Sequence, residues 1–128
     1  PPLLYVALNA GAGTGTHVQG FALRLANEVN EAAQRIGGDR LDVEPFMPDV
    51  ETLDRARVLD HRAMAVLVSF AQRADVVAVL GSDRLALESR ADVVAAERRG
   101  IPVVSAFWPD EGGEDIVSAI LRVCGRRP

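Results

Sequence analysis

A chain of 128 residues, 48% hydrophobic and 25% charged, has the size and balance of one complete soluble domain rather than a two-domain enzyme. A net charge of −4, with the arginines scattered along the chain, argues against a nucleic-acid surface. All 14 basic residues are arginine, which excludes Schiff-base chemistry, a pyridoxal anchor and a P-loop lysine.

Cys124 is the single cysteine, so no intrachain disulfide is possible, and the cytoplasm is the expected compartment. His17 and His61 add no metal-ligand spacing to it. No apolar run approaches the roughly 18 residues of a membrane span, and no signal-peptide pattern opens the chain. Neither membrane nor nucleic acid is therefore an expected partner. The first residue is proline rather than methionine, which points to residues preceding it.

Four short apolar runs predict strands: Leu3–Ala10, Leu41–Met47, Asp75–Leu80 and Ile101–Phe107. Three of them are rich in valine or isoleucine without polar alternation, the pattern of strands buried on both faces. Each run is followed by helical spacing. His17–Ile36 repeats Phe21, Leu25, Val29 and Ala32 and ends at Gly37-Gly38. Glu51–Arg73 predicts one long helix, with Asp60 and His61 midway along it and far from the ligand edge. Leu85–Arg99 predicts a third helix that stops at Gly100 before Pro102, and Glu114–Val123 a fourth. Four strand–helix units make an α/β fold: a single flavodoxin-like or Rossmann-like three-layer domain, with a parallel sheet of four to five strands.

Ligands of such sheets bind beyond the carboxyl ends of the strands. That rule selects Asn9 to His17 after the first strand, Asp49 and Glu51 after the second, Ser82, Asp83 and Glu88 after the third, and Trp108, Asp110 and Glu111 after the fourth. The first loop is the most distinctive. Gly11, Gly13 and Gly15 permit a tight turn with exposed amides at a helix N-terminus, and Thr14 and Thr16 add hydroxyls, which together suit a phosphate or carboxylate. Its alternative is a plain connection with Thr16 as N-cap. Glu88 and Asp92, four apart, fall on one helical face, where either carboxylate serves as nucleophile or general base; Ser82 or Asp83 serves equally as a helix cap. Tyr5 reads as core, with a sugar contact as the alternative. Trp108 and Cys124 read as packing residues.

Leu4-Tyr5-Val6-Ala7, the strand Ala74-Asp75-Val76-Val77-Ala78-Val79-Leu80-Gly81, the segment Ser82 to Glu88 and Gly100-Ile101-Pro102-Val103 resemble the nucleoside 2-deoxyribosyltransferase family and its nucleotide N-glycosidase relatives. Arg57-Val58-Leu59-Asp60 is similar to an aspartate-bearing segment ahead of the third strand in that family. Matched through the loop, the family's glutamate is Glu88, with Arg84 where a glycine is expected; matched from Gly100, it is Asp92. The resemblance implies a carboxylate attacking C1′ of a ribosyl group, with Asp60 or Asp110 assisting departure of the base. It further implies a first loop holding sugar or 5′-phosphate, no metal or organic cofactor, a nucleoside or nucleotide as small-molecule partner, and a homodimer or larger homo-oligomer. The stretch Gly11–Val29 is also similar to the tubulin and FtsZ glycine loop, with Ala12 and His17 at two glycine positions, which implies GTP binding. A non-catalytic ligand-binding or interaction domain on the same fold is the third reading.

Overall fold

In the computed structural model, residues 1–8, 14–36, 41–58, 60–80, 84–106 and 113–125 are described. Strand β1 (Leu3–Leu8) is followed by α1 (Thr14–Arg35), β2 (Glu44–Pro45), α2 (Val50–Arg57) and α3 (His61–Arg73). Then come β3 (Val76–Leu80), α4 (Arg84–Glu88), α5 (Ala91–Arg98), β4 (Val103–Ala106) and α6 (Gly113–Gly125). The four strands form one all-parallel sheet in the order β2-β1-β3-β4. This is the predicted three-layer α/β arrangement, with helices on both faces. No helix among the described residues is long and apolar enough to cross a membrane.

The two faces of the central strands separate by residue parity, as period-2 geometry requires. Leu4, Val6, Val76, Ala78 and Leu80 pack with Val18, Ala22, Leu25 and Val29 of α1 and Ile116, Ile120 and Cys124 of α6. Tyr5, Ala7, Val77 and Val79 pack on the other face with Leu87 of α4 and with Val93 and Ala96 of α5. Helix α3 serves both layers, placing Ala63 and Leu67 in the first and Ala71 in the second. All five residues of β3 are buried, which explains its unbroken apolar run.

Three predicted elements are shorter than their periodicity implies. The second strand, expected over Leu41–Met47, pairs only at Glu44 and Pro45, opposite Leu3 and Leu4. Asn30 of α1 supplies the reason: its amide accepts from Val43 N at 2.8 Å and donates to Val43 O at 3.1 Å, satisfying backbone that a strand partner would otherwise take. Pro45 lacks an N–H and sits on the sheet's edge strand, where that lack is tolerated.

The long helix expected over Glu51–Arg73 is two helices. Asp60, predicted to lie mid-helix, is instead the N-cap of α3 and accepts from Arg62 N at 2.9 Å and Ala63 N at 3.2 Å. An aspartate that binds backbone amides ahead of it favours a helix start over helix continuation. The third predicted helix also divides, between Glu88 and Arg90, so Glu88 and Asp92 do not share a helical face. Arg90 is extended there (φ −69°, ψ 146°) and turns the chain into α5.

Helix α5 ends as predicted at Gly100. Its φ of 78° is paired with bonds from Gly100 N to Glu97 O and from Ile101 N to Ala96 O, the double closure of a Schellman motif. Gly20 is a different case. It lies inside α1, and apart from its chain neighbours and the adjacent backbone of its own helix nothing lies within 4 Å of an added Cβ. Gly20→Ala is expected to stabilise the protein by about 0.5–1 kcal/mol, because alanine loses less backbone entropy in a helix. Urea unfolding midpoints check this, and a midpoint at or below that of the parent contradicts it.

Candidate functional site

Tyr5 and Asp92, 87 positions apart, meet beneath the α5 side of the sheet, where the Tyr5 hydroxyl donates to Asp92 Oδ2 at 2.6 Å. Arg90 completes the group with a two-pronged contact: Nε donates to Asp92 Oδ1 and Nη2 to Oδ2, each at 2.8 Å. Asp92 is 0% exposed, while the Arg90 side chain keeps 27% of its surface in solvent. Burial opposes ionisation of Asp92, yet the bonds and charge of Arg90, with help from Tyr5 and the Val93 amide, hold its carboxyl below the usual range. Burial pushes the Tyr5 phenol well above its ordinary value, and the Asp92 charge pushes it further. Among the described residues, no buried side-chain polar atom lacks a hydrogen-bond partner.

Arg90 also borders a cavity of about 210 Å³ at the carboxyl end of β1. Val6 and Leu8 form its strand wall, Val18 its α1 wall, Leu53, Ala56 and Arg57 its α2 wall, and Met64 and Leu67 its α3 wall. Ala86 and Leu87 of α4 complete it. This is the edge at which open parallel sheets bind ligands. Arg90, at the break between α4 and α5, both bonds Asp92 and lines the cavity.

The other candidates fall into separate places. Glu88 ends α4 half-buried, and its Oε1 accepts from Ser105 Oγ of β4 at 3.0 Å. Asp49 is the N-cap of α2 and accepts from Thr52 N at 2.8 Å; that bond holds its carboxyl below the usual range. Asp60 caps α3 as described. Gly15 lies in the first turn of α1, and its amide donates to Asp54 Oδ1 of α2 at 2.7 Å, so an internal carboxylate already meets this helix N-terminus. Thr14 begins α1, but its side chain lies outside the described residues, as do Asn9, Gly11, Gly13, Ser82, Asp83 and Asp110. Trp108 and Glu111 lie outside them too.

His17 is exposed on α1, beside Phe21 and Arg24 in a shallow open depression. Cys124 is buried in the α1–α6 layer, as its reading as a packing residue implies. Among the described residues, no group of three His, Cys, Asp or Glu side chains is placed to hold a metal ion.

Sequence reasoning missed Arg57, Arg90, Asp54 and Ser105. One local signal was legible. Ser89-Arg90-Ala91-Asp92 has the S-x-x-D spacing of a helix start, one residue from the observed cap at Arg90. Arg57 and Asp54 carry no comparable signal, because their partners belong to other elements. No protein-family model, curated protein or solved structure matches this chain.

Proposed function

We propose that the protein acts on the base–sugar bond of a nucleoside or nucleotide, with Glu88 as the attacking carboxylate. The observation that supports this reading is the state of the candidate acids among the described residues. Asp92 is wholly buried and paired with a cation, and Asp49 and Asp60 are engaged as helix caps. Glu88 keeps partial exposure and is oriented by one neutral hydroxyl, that of Ser105. A carboxylate held this way is both nucleophilic and reachable.

In the proposed step, a Glu88 oxygen bonds to C1′ as the C1′–N bond breaks. The bond's electron pair goes to the base nitrogen, which takes a proton from solvent. Water then displaces the sugar from Glu88 and restores the carboxylate, or a second base does so in a transfer reaction. The carboxylate also offsets positive charge building on the sugar. The same proposal has the protein working in the cytoplasm as a homodimer or larger homo-oligomer, with no metal or organic cofactor.

The test is a panel of nucleosides and nucleoside monophosphates assayed for free base. Release is expected from at least one member and is expected to vanish in Glu88→Gln, which keeps the side chain's shape and removes its charge. Equal release by Glu88→Gln and the parent protein overturns the assignment. No release, together with GTP binding and concentration-dependent filaments, replaces it with the tubulin-like reading.

A further inference from the structure

We propose that the cavity between Arg57 and Arg90 is a binding site for a small organic anion, a singly charged oxyanion head on a short apolar body. This site is independent of the base–sugar reading, because Glu88 is not among the residues that line the cavity.

Size comes first. A volume of about 210 Å³ corresponds to about seven water-sized groups at ~30 Å³ each. That lies below the roughly 300–1,000 Å³ of pockets for drug-sized ligands. A ligand part lying wholly within this volume is a few carbons and one polar head.

The lining then selects the chemistry. Among the described residues the wall, represented by Val6, Leu67 and Met64, is aliphatic apart from two arginines, and no carboxylate lines it. A ligand with an apolar body gains by displacing water from such a wall. The two guanidiniums select the head. A guanidinium carries five N–H donors, and Arg90 uses two donor groups, Nε and Nη2, on Asp92. Asp92 thereby fixes the Arg90 fork in place, while donors remain for a ligand. Arg57, in the last turn of α2, has no acid partner among the described residues.

Charge balance sets the valence of the head. Arg57 and Arg90 contribute two positive charges, and Asp92 contributes one negative charge at Arg90. Among the described residues one positive charge is left, which a single negative charge neutralises. Asp54, three residues before Arg57, is directed to the Gly15 amide and is not part of the cavity wall. The nearby N-terminus of α1 is thus engaged by Asp54, which leaves the arginines as the attractive element. A carboxylate carries that single charge at neutral pH and a phosphate monoester carries it in its monoanionic form, below a second pKa of about 6, and bidentate contact with a guanidinium suits either.

The experiment is an NMR titration of the full chain with four probes: butyrate, butyl phosphate, neutral butanol and inorganic phosphate. Butyrate or butyl phosphate is expected to shift signals clustered on Val6, Leu67 and Ala86 and to bind more tightly than butanol. The tighter of the two identifies the head. Arg57→Met, at an exposed position where the fold is not at risk, is expected to weaken that binding roughly tenfold, the equivalent of one charge-assisted hydrogen bond. Ala86→Trp, which fills the cavity from an exposed position on α4, is expected to abolish it. The proposal is overturned if neither anion shifts these signals, if Arg57→Met binds as tightly as the parent, or if inorganic phosphate and butanol match the organic anions. Base release and anion binding are read in separate assays, so either can fail alone.

Discussion

Asp92→Ala is expected to destabilise the protein by about 3–5 kcal/mol, because it leaves the Arg90 charge and the Tyr5 hydroxyl without the carboxylate that pairs them. Set against the ~5–15 kcal/mol that holds a typical domain together, this is a large share. The loss comes from breaking the pair, not from any great strength in it: two charges taken from water recover little net energy, but one left alone recovers none. Tyr5→Phe is expected to have a smaller effect, about 1.5–3 kcal/mol, since Asp92 keeps both bonds from Arg90. Urea unfolding of both single variants and the double variant isolates the coupling, which should be non-zero for groups 2.6 Å apart. Additivity of the two changes would contradict the network.

The same trio sets a pH window with a definite sign at each end. Asp92 has a lowered folded pKa, so its contribution is complete above the unfolded value of ~3.9 and is lost as pH falls through the folded value. Tyr5 has a raised folded pKa, so its contribution is complete below ~10 and is lost as pH rises through the folded value. Stability is therefore expected to fall at both extremes. Asp92→Asn should weaken the acid limb and Tyr5→Phe the alkaline one. Tyr5 is the single tyrosine in the chain, so phenolate absorbance reports it alone. Its midpoint in the folded protein should lie above its midpoint in denaturant, and coincident midpoints would sink the assignment.

Gly15→Ala is expected to destabilise by about 1–3 kcal/mol, the usual range for overpacking. A Cβ at this position stands 2.6 Å from Val50 O and 2.9 Å from Asp54 Oδ1, so the start of α2 must move away from α1. That movement also lengthens the bond from the Gly15 amide to Asp54. Opposing it is alanine's better helix propensity, at most about 1 kcal/mol, which is too small to win. The contrast with Gly20→Ala is the useful control: one substitution, one helix, opposite signs. Asp54→Ala does not rescue Gly15→Ala, because the nearer obstacle is backbone. Equal midpoints for Gly15→Ala and the parent would show that the two helices do not approach this closely.

These positions mark the boundary of what local pattern can reveal. Runs of valine and leucine placed β1, β3 and β4 within a few residues, and helical spacing placed α1 and the end of α5, because burial on two faces or one stripe is written in neighbouring residues. The same reasoning extended β2 too far and merged two pairs of helices. Asn30 shortens β2 by bonding to Val43 from across a connection, and Asp60 divides a helix whose apolar spacing continues through the break. Among the candidate site residues, the strand-end rule selected Glu88, its spacing of four selected Asp92, and residue type selected Tyr5. None of this told that Tyr5 and Asp92 touch.

By itself, the sequence determined a parallel α/β domain, the strands at its centre, and a basic set made of 14 arginines without lysine. Those properties follow from composition and from periods of a few residues. Only the tertiary structure decided that Asp92 is sealed while Glu88 keeps partial exposure. It also decided that Gly15 serves the meeting of two helices, and that Arg57 and Arg90 border one cavity. Contacts such as Tyr5–Asp92 join residues remote in the chain, and their energies depend on burial and on the full set of partners, neither of which a local pattern encodes.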